Sequence, residues 1–540
     1  MFIAISGFFS RFRRDEDGSL FIFSLILFFL MVMMGGFAVD LMRYENTRTH
    51  LQNTLDRSTL AAAALSQALD REAVVRDYML KAGIIDQLAS VTVTEGQNAT
   101  AVQAVGRAET NPFFMHLLGI KDFDAFGRSK AEQAISNVEI VLVLDVSGSM
   151  QGTKIIDLKA AAANFVDTVL GNDPYHRISI SIVPYNAQVN IGTDLTGEFN
   201  LTDVHGVANV NCVELPASVG DSLAIPQNLP MPMMAYADAN NTTNKTDAYV
   251  SPLGPYGLPN YNGSFCKPLA HNQVRLPSND AATLKGYING LQAIGNTSIS
   301  LGMKWGVTMT DPSMRPAFTN FIAENKIPAN LPARPYDYDD TNASKIVILM
   351  TDGEHVAHRR IVDGYKSGPS GIFLSASDGN YSVRHTTLRP ATAGTNEYYV
   401  PHLDTWQATP WGTDAVQQDW RNIWAKLKLT YVAWQFFGRA LSNDYTTQNA
   451  IYNTQLGKMR KDYASVGAMD TSLQQSCDQA KDAGVTVYGI AFGAPLRGQE
   501  VIAACASQGM YFQPSDDGGT EIQAAFNAIA SNITMLKLTQ

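Results

Sequence analysis

Three separate segments of the sequence carry side-chain oxygens that could bind a metal ion. The first is Asp145-x-Ser147-x-Ser149, which follows an apolar stretch. The second is Thr297 in "AIGNTSISLG", at the start of a predicted helix, and the third is Asp352 in "IVILMTDGE", after another apolar stretch. Because this set offers two carboxylates and three hydroxyls without His or Cys, it favours a hard cation with oxygen ligands. Mg²⁺ fits the set best, and Ca²⁺ and Mn²⁺ are the alternatives.

The segments around these oxygens predict an α/β domain. Apolar or alternating stretches read as strands, and amphipathic stretches between them read as helices. The predicted strands are 138–144, 178–183, 346–350 and 485–492. Buried strands that alternate with helices predict a doubly wound, mainly parallel sheet covered on both faces. Ligands of such sheets bind beyond the carboxyl ends of the strands, so we expect Asp145 and Asp352 to meet there.

Three long stretches interrupt the predicted strands and helices of a domain at 137–535. They lie at about 193–280, 310–342 and 355–470. Unstructured loops of this length are uncommon inside a domain, so we interpret them as insertions that are ordered on their own or functional. The third insertion contains five of the six tryptophans, and the helical spacing of Trp420 and Trp424 favours packing over a ligand cage.

The N-terminal part of the chain predicts a membrane anchor. Residues 20–39, "LFIFSLILFFLMVMMGGFAV", are long enough as a helix to span about 30 Å of bilayer core. Arginines precede this stretch in residues 1–19, which favours a cytoplasmic N-terminus and an exported remainder. We therefore expect a single-pass protein of the inner membrane whose bulk is periplasmic, and the cell surface is the alternative.

Residues 40–136 predict a region between the anchor and the sheet. The helix continues in amphipathic form as far as Gly83, which gives one helix of roughly 60 residues, beyond the usual globular length. Short strands around a helical insert at "NPFFMHLLGI" then predict a small α+β collar. A pilin-like subunit and a simple stalk both fit this pattern, and periodicity does not separate them.

Charge and cysteine content exclude two classes of protein. The net charge of −10 argues against nucleic-acid binding, which needs a basic face. The four cysteines are too widely spaced for a CxxC-type zinc site. Cys212 with Cys266 and Cys477 with Cys505 are pairs close in sequence, so two disulfides are expected in an exported domain. The sequence alone allows three connectivities, and four free thiols are the alternative.

The oxygen-bearing segments resemble the von Willebrand factor A domain and its metal-ion-dependent adhesion site. A DxSxS segment, a lone Thr before a helix and a T-D-G segment occur in the chain order of that family. The resemblance implies that Ser147 and Ser149 bind the ion directly. It implies that Thr297 binds directly or through water, and that Asp145 and Asp352 act mainly through water. An open coordination position would then accept a carboxylate from a protein partner.

The N-terminal region is similar to the TadE/TadG-like proteins of tight-adherence (Flp) pilus assembly. The similarity rests on Gly18, the apolar run, "AVD" at 38–40 and "LQNTLDRSTLAAA". TadG-type members carry a von Willebrand A domain, and their closing segment is similar to the end of this chain. Processed relatives tend to have a glutamate five residues after the cut glycine, where this chain has Phe23. We therefore expect the anchor to be retained.

These patterns favour a membrane-anchored, non-enzymatic component of pilus assembly. Its expected partners are pilus or secretion-apparatus subunits, and nucleic acid is not expected. The alternative is a surface adhesin or sensor that binds host or matrix ligands through the same site. An enzyme is disfavoured because no His, Lys or Cys is placed in the sequence beside Ser147 or Ser149 as a base. His355, in the same loop as Asp352, is expected to be a solvated side chain.

Overall fold

The structure is a computed structural model of the 540-residue chain. It describes residues 17–64, 69–95, 99–134, 137–171, 173, 175–240, 245, 264–340, 342–516 and 518–539. The chain divides into two compact units, Met1–Ile135 with Gln540 and Ser136–Thr539. The arginine-rich segment of the predicted cytoplasmic N-terminus, residues 1–16, lies outside the described residues.

The first unit begins with a long apolar helix, α1 (Asp17–Ala63). By length and composition it is the one described helix that could cross a membrane. Its large apolar side chains from Leu20 to Met42 are exposed on nearly every face of the helix. A helix that is apolar all round is typical of a membrane span or of the interior of a large protein. The predicted anchor at 20–39 lies within this exposed stretch.

The expectation of one continuous helix as far as Gly83 is wrong. Helix α1 ends at Ala63, and a second helix, α2 (Arg71–Lys81), follows it. Asp70 starts α2 because its carboxylate accepts a hydrogen bond from the backbone N–H of Ala73 at 2.7 Å. The buried side chains of α2 join those of α1 in one hydrophobic cluster, so the chain turns back on itself.

A three-stranded antiparallel sheet packs against the second half of α1. Its strands are β1 (Leu88–Glu95), β2 (Ala99–Thr110) and β3 (Phe123–Ala134). Gly106 and Gly127 face each other across β2 and β3. A Cβ at either glycine would lie 2.8 Å from a methyl carbon of Leu51 or Leu55. The glycine pair therefore allows α1 to approach the sheet closely. Two of these strands have 12 residues, more than the short strands we expected.

The second unit alternates strands and helices along most of its length. Its strands are β4 (Asn137–Asp145), β5 (Ile178–Tyr185), β6 (Leu201–Thr202), β7 (Met231–Pro232), β8 (Arg275–Ser278), β9 (Ala343–Thr351), β10 (Arg359–Ile361), β11 (Pro369–Ser375), β12 (Tyr381–Arg384), β13 (Tyr398–Val400), β14 (Thr405–Gln407), β15 (Ala415–Asp419), β16 (Arg460–Asp462), β17 (Thr486–Ala491) and β18 (Tyr511–Phe512). Its helices are α3 (Thr153–Gly171), α4 (Gly192–Thr196), α5 (Ala281–Gly290), α6 (Ile299–Thr308), α7 (Arg315–Ala323), α8 (Trp420–Lys426), α9 (Leu429–Tyr431), α10 (Arg439–Leu441), α11 (Tyr445–Met459), α12 (Val466–Asp482), α13 (Leu496–Cys505) and α14 (Thr520–Thr539), and a π-helical turn (Val432–Gly438) joins α9 to α10.

The largest sheet of this unit has six strands in the order β18-β17-β9-β4-β5-β8. All neighbouring strands are parallel except β8, which is antiparallel to β5 at one edge. The chain passes from β4 to β5 on one side and returns to β9 on the other side. The carboxyl ends of β4 and β9 therefore form the crevice in which sheets of this type bind ligands. The mixed α/β prediction is confirmed.

Helices cover both faces of this sheet because successive side chains of each strand point to opposite faces. On β4, Ile140 and Leu142 lie in a hydrophobic cluster with buried side chains of α3, α5 and α14. Val141 and Val143 lie in a second cluster with side chains of α6, α12 and α13. Strand β4 is buried along its whole length, as the apolar pattern predicted.

The predicted insertions contain structure of their own. Strand β8 lies within the predicted insertion 193–280, although it completes the edge of the main sheet. The insertion 355–470 holds a five-stranded sheet in the order β14-β13-β12-β11-β15. Side chains of both insertions share one hydrophobic cluster. The rings of Trp420 and Trp424 stack there at 5.0 Å, so the prediction that they pack is confirmed.

Two disulfides join the cysteines as predicted. Cys212 is bonded to Cys266, which links two parts of the first insertion. Cys477 is bonded to Cys505, which links α12 to the end of α13. Both bonds lie in the second unit, and such bonds persist in oxidising compartments.

Candidate metal centre

The predicted metal-binding residues lie at the carboxyl ends of two neighbouring parallel strands. Leu144 of β4 is paired with Met350 of β9, so the residues that follow them emerge side by side. Asp145 is the last residue of β4, and Asp352 comes directly after β9. The sheet therefore brings together two carboxylates that are about 200 residues apart in the sequence, as the topology rule predicts.

The carboxylate of Asp145 lies fully buried and has two hydrogen-bond partners. Its Oδ1 accepts the backbone N–H of Ser147 at 2.8 Å, which turns the chain after β4. Its Oδ2 accepts the hydroxyl of Thr351 at 2.7 Å. Thr351 is a residue of the site that sequence reasoning missed, although it stands first in the T-D-G segment. Its hydroxyl connects the ends of β4 and β9.

Ser147, Ser149 and Asp352 form a continuous chain of close oxygens. The hydroxyl oxygens of Ser147 and Ser149 lie 2.9 Å apart. The Ser149 hydroxyl donates to Oδ1 of Asp352 at 2.6 Å. Ser147 and Asp352 are buried, whereas Ser149 is exposed. The exposed residue Ser149 therefore joins the two buried residues and gives this series of oxygens contact with solvent.

Thr297 and Ser149 both lie close to Gly353. A Cβ added to Gly353 would lie 3.3 Å from the hydroxyl oxygen of Thr297 and 3.5 Å from that of Ser149. The glycine after Asp352 therefore leaves room for both hydroxyls beside the same backbone position. The structure brings all five predicted residues to one end of the sheet, and their role as metal ligands stays a prediction.

Backbone hydrogen bonds fix the loops that carry these side chains. The N–H of Gly148 donates to the carbonyl of Gly295 at 2.7 Å, and the N–H of Ile294 donates to that of Val146 at 2.8 Å. These two bonds join the loop after β4 to the loop that carries Thr297. The backbone thus holds in place the two loops that carry the hydroxyl groups.

The electrostatic environment of the site disfavours the ionised form of Asp145. Burial and the nearby charge of Asp352 raise the pKa of Asp145 from 3.8 to about 7. Hydrogen bonds from Ser147 and Thr351 lower it and offset part of this effect. A buried carboxylate with a raised pKa is stabilised in its charged form when a cation comes close.

One cation is already present beside Asp352, and sequence reasoning missed it. The ammonium group of Lys154, near the start of α3, lies 3.0 Å from Oδ2 of Asp352. Its side chain is 17% exposed, and the carboxylate of Asp516 is 3.9 Å away. Lys154 comes five residues after Ser149, at the beginning of the next helix. This position was the available sequence signal that its side chain could reach the site.

The expectation that His355 is a solvated side chain is wrong. His355 is 3% exposed. Its Nε2 accepts the backbone N–H of Ser300 at 2.9 Å, and its Nδ1 lies 2.6 Å from the carboxylate of Asp470. Arg497 donates two hydrogen bonds to the same carboxylate at 2.6 and 2.9 Å. Burial lowers the pKa of His355, and the neutral ring bridges the loop of Asp352 to helices α6 and α12.

The oxygens present fit a hard divalent cation. An octahedral Mg²⁺ with ligands at about 2.1 Å places neighbouring ligand oxygens about 3.0 Å apart. The hydroxyls of Ser147 and Ser149 have this separation, at 2.9 Å. Among the described residues no three His, Cys, Asp or Glu side chains gather in one place. The candidate centre therefore depends on hydroxyl groups as much as on carboxylates.

Comparison with known protein families gives a match for the first unit. Residues 18–65 match the Flp pilus-assembly TadE/G-like family. This segment contains most of α1, so the predicted resemblance of the N-terminal region is confirmed there. The match contains none of the candidate metal ligands. No curated protein matches the chain.

Solved structures give only distant likenesses. The pilus adhesin SpaC from Lactobacillus rhamnosus GG is 11% identical with a TM-score of 0.30, and the match covers 82% of this chain and 34% of that chain. The vWF domain of the type V pili tip protein Mfa5 from Porphyromonas gingivalis is 12% identical with a TM-score of 0.29. The match covers 74% of this chain and 96% of that chain. The chain thus spans about a third of the SpaC chain. These TM-scores are too low to assign a fold or function to the second unit.

Proposed function

We propose that the protein is a membrane-anchored, non-enzymatic component of tight-adherence (Flp-type) pilus assembly. It would bind a protein partner through a metal-ion-dependent site in a von Willebrand A-type second unit. The match of residues 18–65 to the TadE/G-like family supports the link to pilus assembly. The observation that carries the metal site is the meeting of the Asp145, Ser147, Ser149 and Asp352 oxygens at the ends of β4 and β9.

The five side chains have different roles in binding the ion, which is Mg²⁺, with Ca²⁺ or Mn²⁺ as alternatives. Ser147 and Ser149 bind the ion directly, and Asp145 and Asp352 supply charge mainly through water. Thr297, whose hydroxyl lies beside Gly353 as that of Ser149 does, completes the set. The ion keeps a coordination position for a carboxylate of the partner, a pilus or secretion-apparatus subunit. The exposure of Ser149 supports access from that side.

The proposed location is the bacterial inner membrane, with a cytoplasmic N-terminus and a periplasmic bulk. The exposed apolar half of α1 supports a single membrane span, since this surface has no protein cover within the described residues. The two disulfides of the second unit support an oxidising compartment for that unit.

Complementation of a gene deletion tests this proposal. Ser149→Ala removes one ligand, and Ser313→Ala removes an exposed serine hydroxyl in the same unit away from the site. We expect the native protein and Ser313→Ala to restore surface pili and Ser149→Ala to fail, at equal protein levels in the membrane. Electron microscopy and the amount of pilin in the sheared surface fraction give the readout.

Two outcomes contradict the proposal. Full restoration of pili by Ser149→Ala shows that assembly does not use this site. Normal pili with poor attachment in the deletion strain would favour the surface adhesin instead, because the protein would then act after assembly.

A further inference from the structure

The connection between β2 and β3 presents large apolar side chains to the outside of the first unit. Residues 113–120, "FFMHLLGI", form this apolar loop. Phe113, Leu117 and Leu118 expose 69%, 79% and 60% of their surface, and Ile120 exposes 37%. So many exposed apolar side chains in one short segment indicate a docking surface.

The apolar loop is fixed to α1 by a buried carboxylate. Asp40 is 1% exposed and accepts three backbone N–H groups of the loop. These are the N–H groups of Phe113 at 2.9 Å, Phe114 at 2.8 Å and Met115 at 2.9 Å. Three such bonds satisfy the carboxylate and hold the backbone of the loop at a defined height on the helix.

Two ring contacts place the loop at the end of the apolar stretch of α1. A Cβ at Gly36 would lie 2.3 Å from the ring of Phe114, so this ring rests directly on the helix backbone. The guanidinium of Arg43 lies 4.2 Å from the ring centroid of Phe113. The loop therefore contacts α1 between the last apolar turn and the first charged turn.

If the apolar stretch of α1 spans the bilayer, the loop contacts the helix at the level of the membrane surface. The exposed stretch 20–39 is about 30 Å long, and Gly36 lies about 5 Å inside its far end. Amphipathic segments at an interface bury their apolar side chains about 5–10 Å deep, at the boundary of headgroups and acyl chains. The loop and the helix thus present one continuous apolar surface at this depth.

We propose that the apolar loop 113–120 inserts into the lipid interface beside α1 and is a second attachment point for the first unit. The inference rests on the membrane anchoring proposed above. Lipid is the occupant that the geometry favours, because the exposed loop side chains continue the exposed surface of α1 that the bilayer would cover. Insertion would hold the sheet β1–β3 close to the membrane surface.

Site-directed spin labels in the full chain test the insertion. The four native cysteines are in disulfides, so a new cysteine can be labelled alone. Leu117→Cys reports the loop, and Leu118→Cys repeats the measurement if the first variant does not fold. Met31→Cys reports the anchor, and Leu60→Cys is the control because it is 67% exposed on α1 about 30 Å beyond Val39.

The protein is reconstituted in vesicles of phosphatidylethanolamine and phosphatidylglycerol, and collisions with oxygen and with a water-soluble nickel chelate are compared. We expect the labels at 117 and 31 to collide mainly with oxygen and the label at 60 mainly with the chelate. If the label at position 31 collides mainly with oxygen but the label at 117 collides mainly with the chelate, as the label at 60 does, the loop proposal is overturned and the anchor stands. If 117 is shielded from both reagents, a protein covers the loop and the proposal is also overturned. If 31 is in water, the anchoring itself fails.

Discussion

Replacement of Asp145 by Asn is expected to stabilise the metal-free protein and to abolish its response to Mg²⁺. Asp145 is fully buried, and burial together with Asp352 raises its pKa to about 7. The folded state therefore holds this proton more tightly than the unfolded state does. Stability from this group is present below pH 3.8 and is lost as the pH rises through 7.

The size of the effect follows from this shift. A pKa raised from 3.8 to about 7 corresponds to about 4 kcal/mol of stability lost at pH 8. Asparagine recovers this stability because it has no charge. The amide introduced by Asp145→Asn can still accept the N–H of Ser147, but towards Thr351 it can only donate, to a hydroxyl oxygen that already accepts the N–H of Gly353 at 3.2 Å. Reversing and weakening that hydrogen bond costs about 1 kcal/mol. We expect Asp145→Asn to be more stable than the native protein by about 1–3 kcal/mol in EDTA at pH 8.

Magnesium should reverse the order of the two proteins. An ion that binds only the folded state at about 1,000 times its Kd stabilises that state by about 4.1 kcal/mol, which exceeds the advantage of the variant. The native site gains this stabilisation because Mg²⁺ favours the ionised carboxylate. The variant offers an amide in its place and should gain little.

Urea unfolding followed by tryptophan fluorescence measures both effects in the full chain in detergent. All six tryptophans lie in the second unit, so the signal reports the unit that contains the site. Asp444→Asn is the control, because the Asp444 carboxylate caps α11 and this hydrogen bonding lowers its pKa. The control should be destabilised equally with and without Mg²⁺. A variant Asp145→Asn that is less stable in EDTA, or that gains as much from Mg²⁺ as the native protein, refutes the reasoning.

Two further predictions concern buried ionisable side chains of the second unit. Burial lowers the pKa of His358 to about 4, so the stability it provides is complete above pH 6.5 and is lost as the pH falls toward 4. Between pH 7.5 and 5.5, His358→Gln should lose about 1 kcal/mol less stability than the native protein, and an equal loss would contradict this. Glu139→Ala should cost about 3–5 kcal/mol in urea unfolding, because it removes the nearest counter-charge of the buried Lys345 ammonium, which lies 2.6 Å from Glu139. The double variant Glu139→Ala, Lys345→Met should recover part of that loss, and a single variant as stable as the double one would contradict the explanation.

The candidate ligands could be predicted from sequence because their signals are local. Each carboxylate directly follows an apolar strand, and a parallel sheet aligns the ends of its strands. Asp145 and Asp352 could therefore be brought together without knowing any side-chain contact. Their meeting depends only on β4 and β9 being neighbours, which the alternation of strands and helices favours.

The other groups of the site could not be predicted because their partners are far away in the sequence. Lys154 contacts Asp352 across 198 residues, and His355 contacts Asp470 across 115 residues. No periodicity connects such pairs, and the long insertion between His355 and Asp470 hides that α12 returns to the site. The end of α1 and the start of α2, in contrast, could have been predicted from the sequence. Asp70, followed by an acidic residue in the first turn, is a local signal for the start of α2.

The loops that would bind the ion are joined to each other by backbone hydrogen bonds. Backbone bonds such as that from Gly148 to Gly295 already hold the hydroxyl groups in position, so little ordering entropy remains to be lost on binding. The free energy of binding then depends mainly on charge, on ionising Asp145 and on moving Lys154 away from Asp352. Affinity for the ion should therefore respond far more to changes at Lys154 than to changes in the surrounding loops, because Lys154 and the ion compete for the same carboxylate.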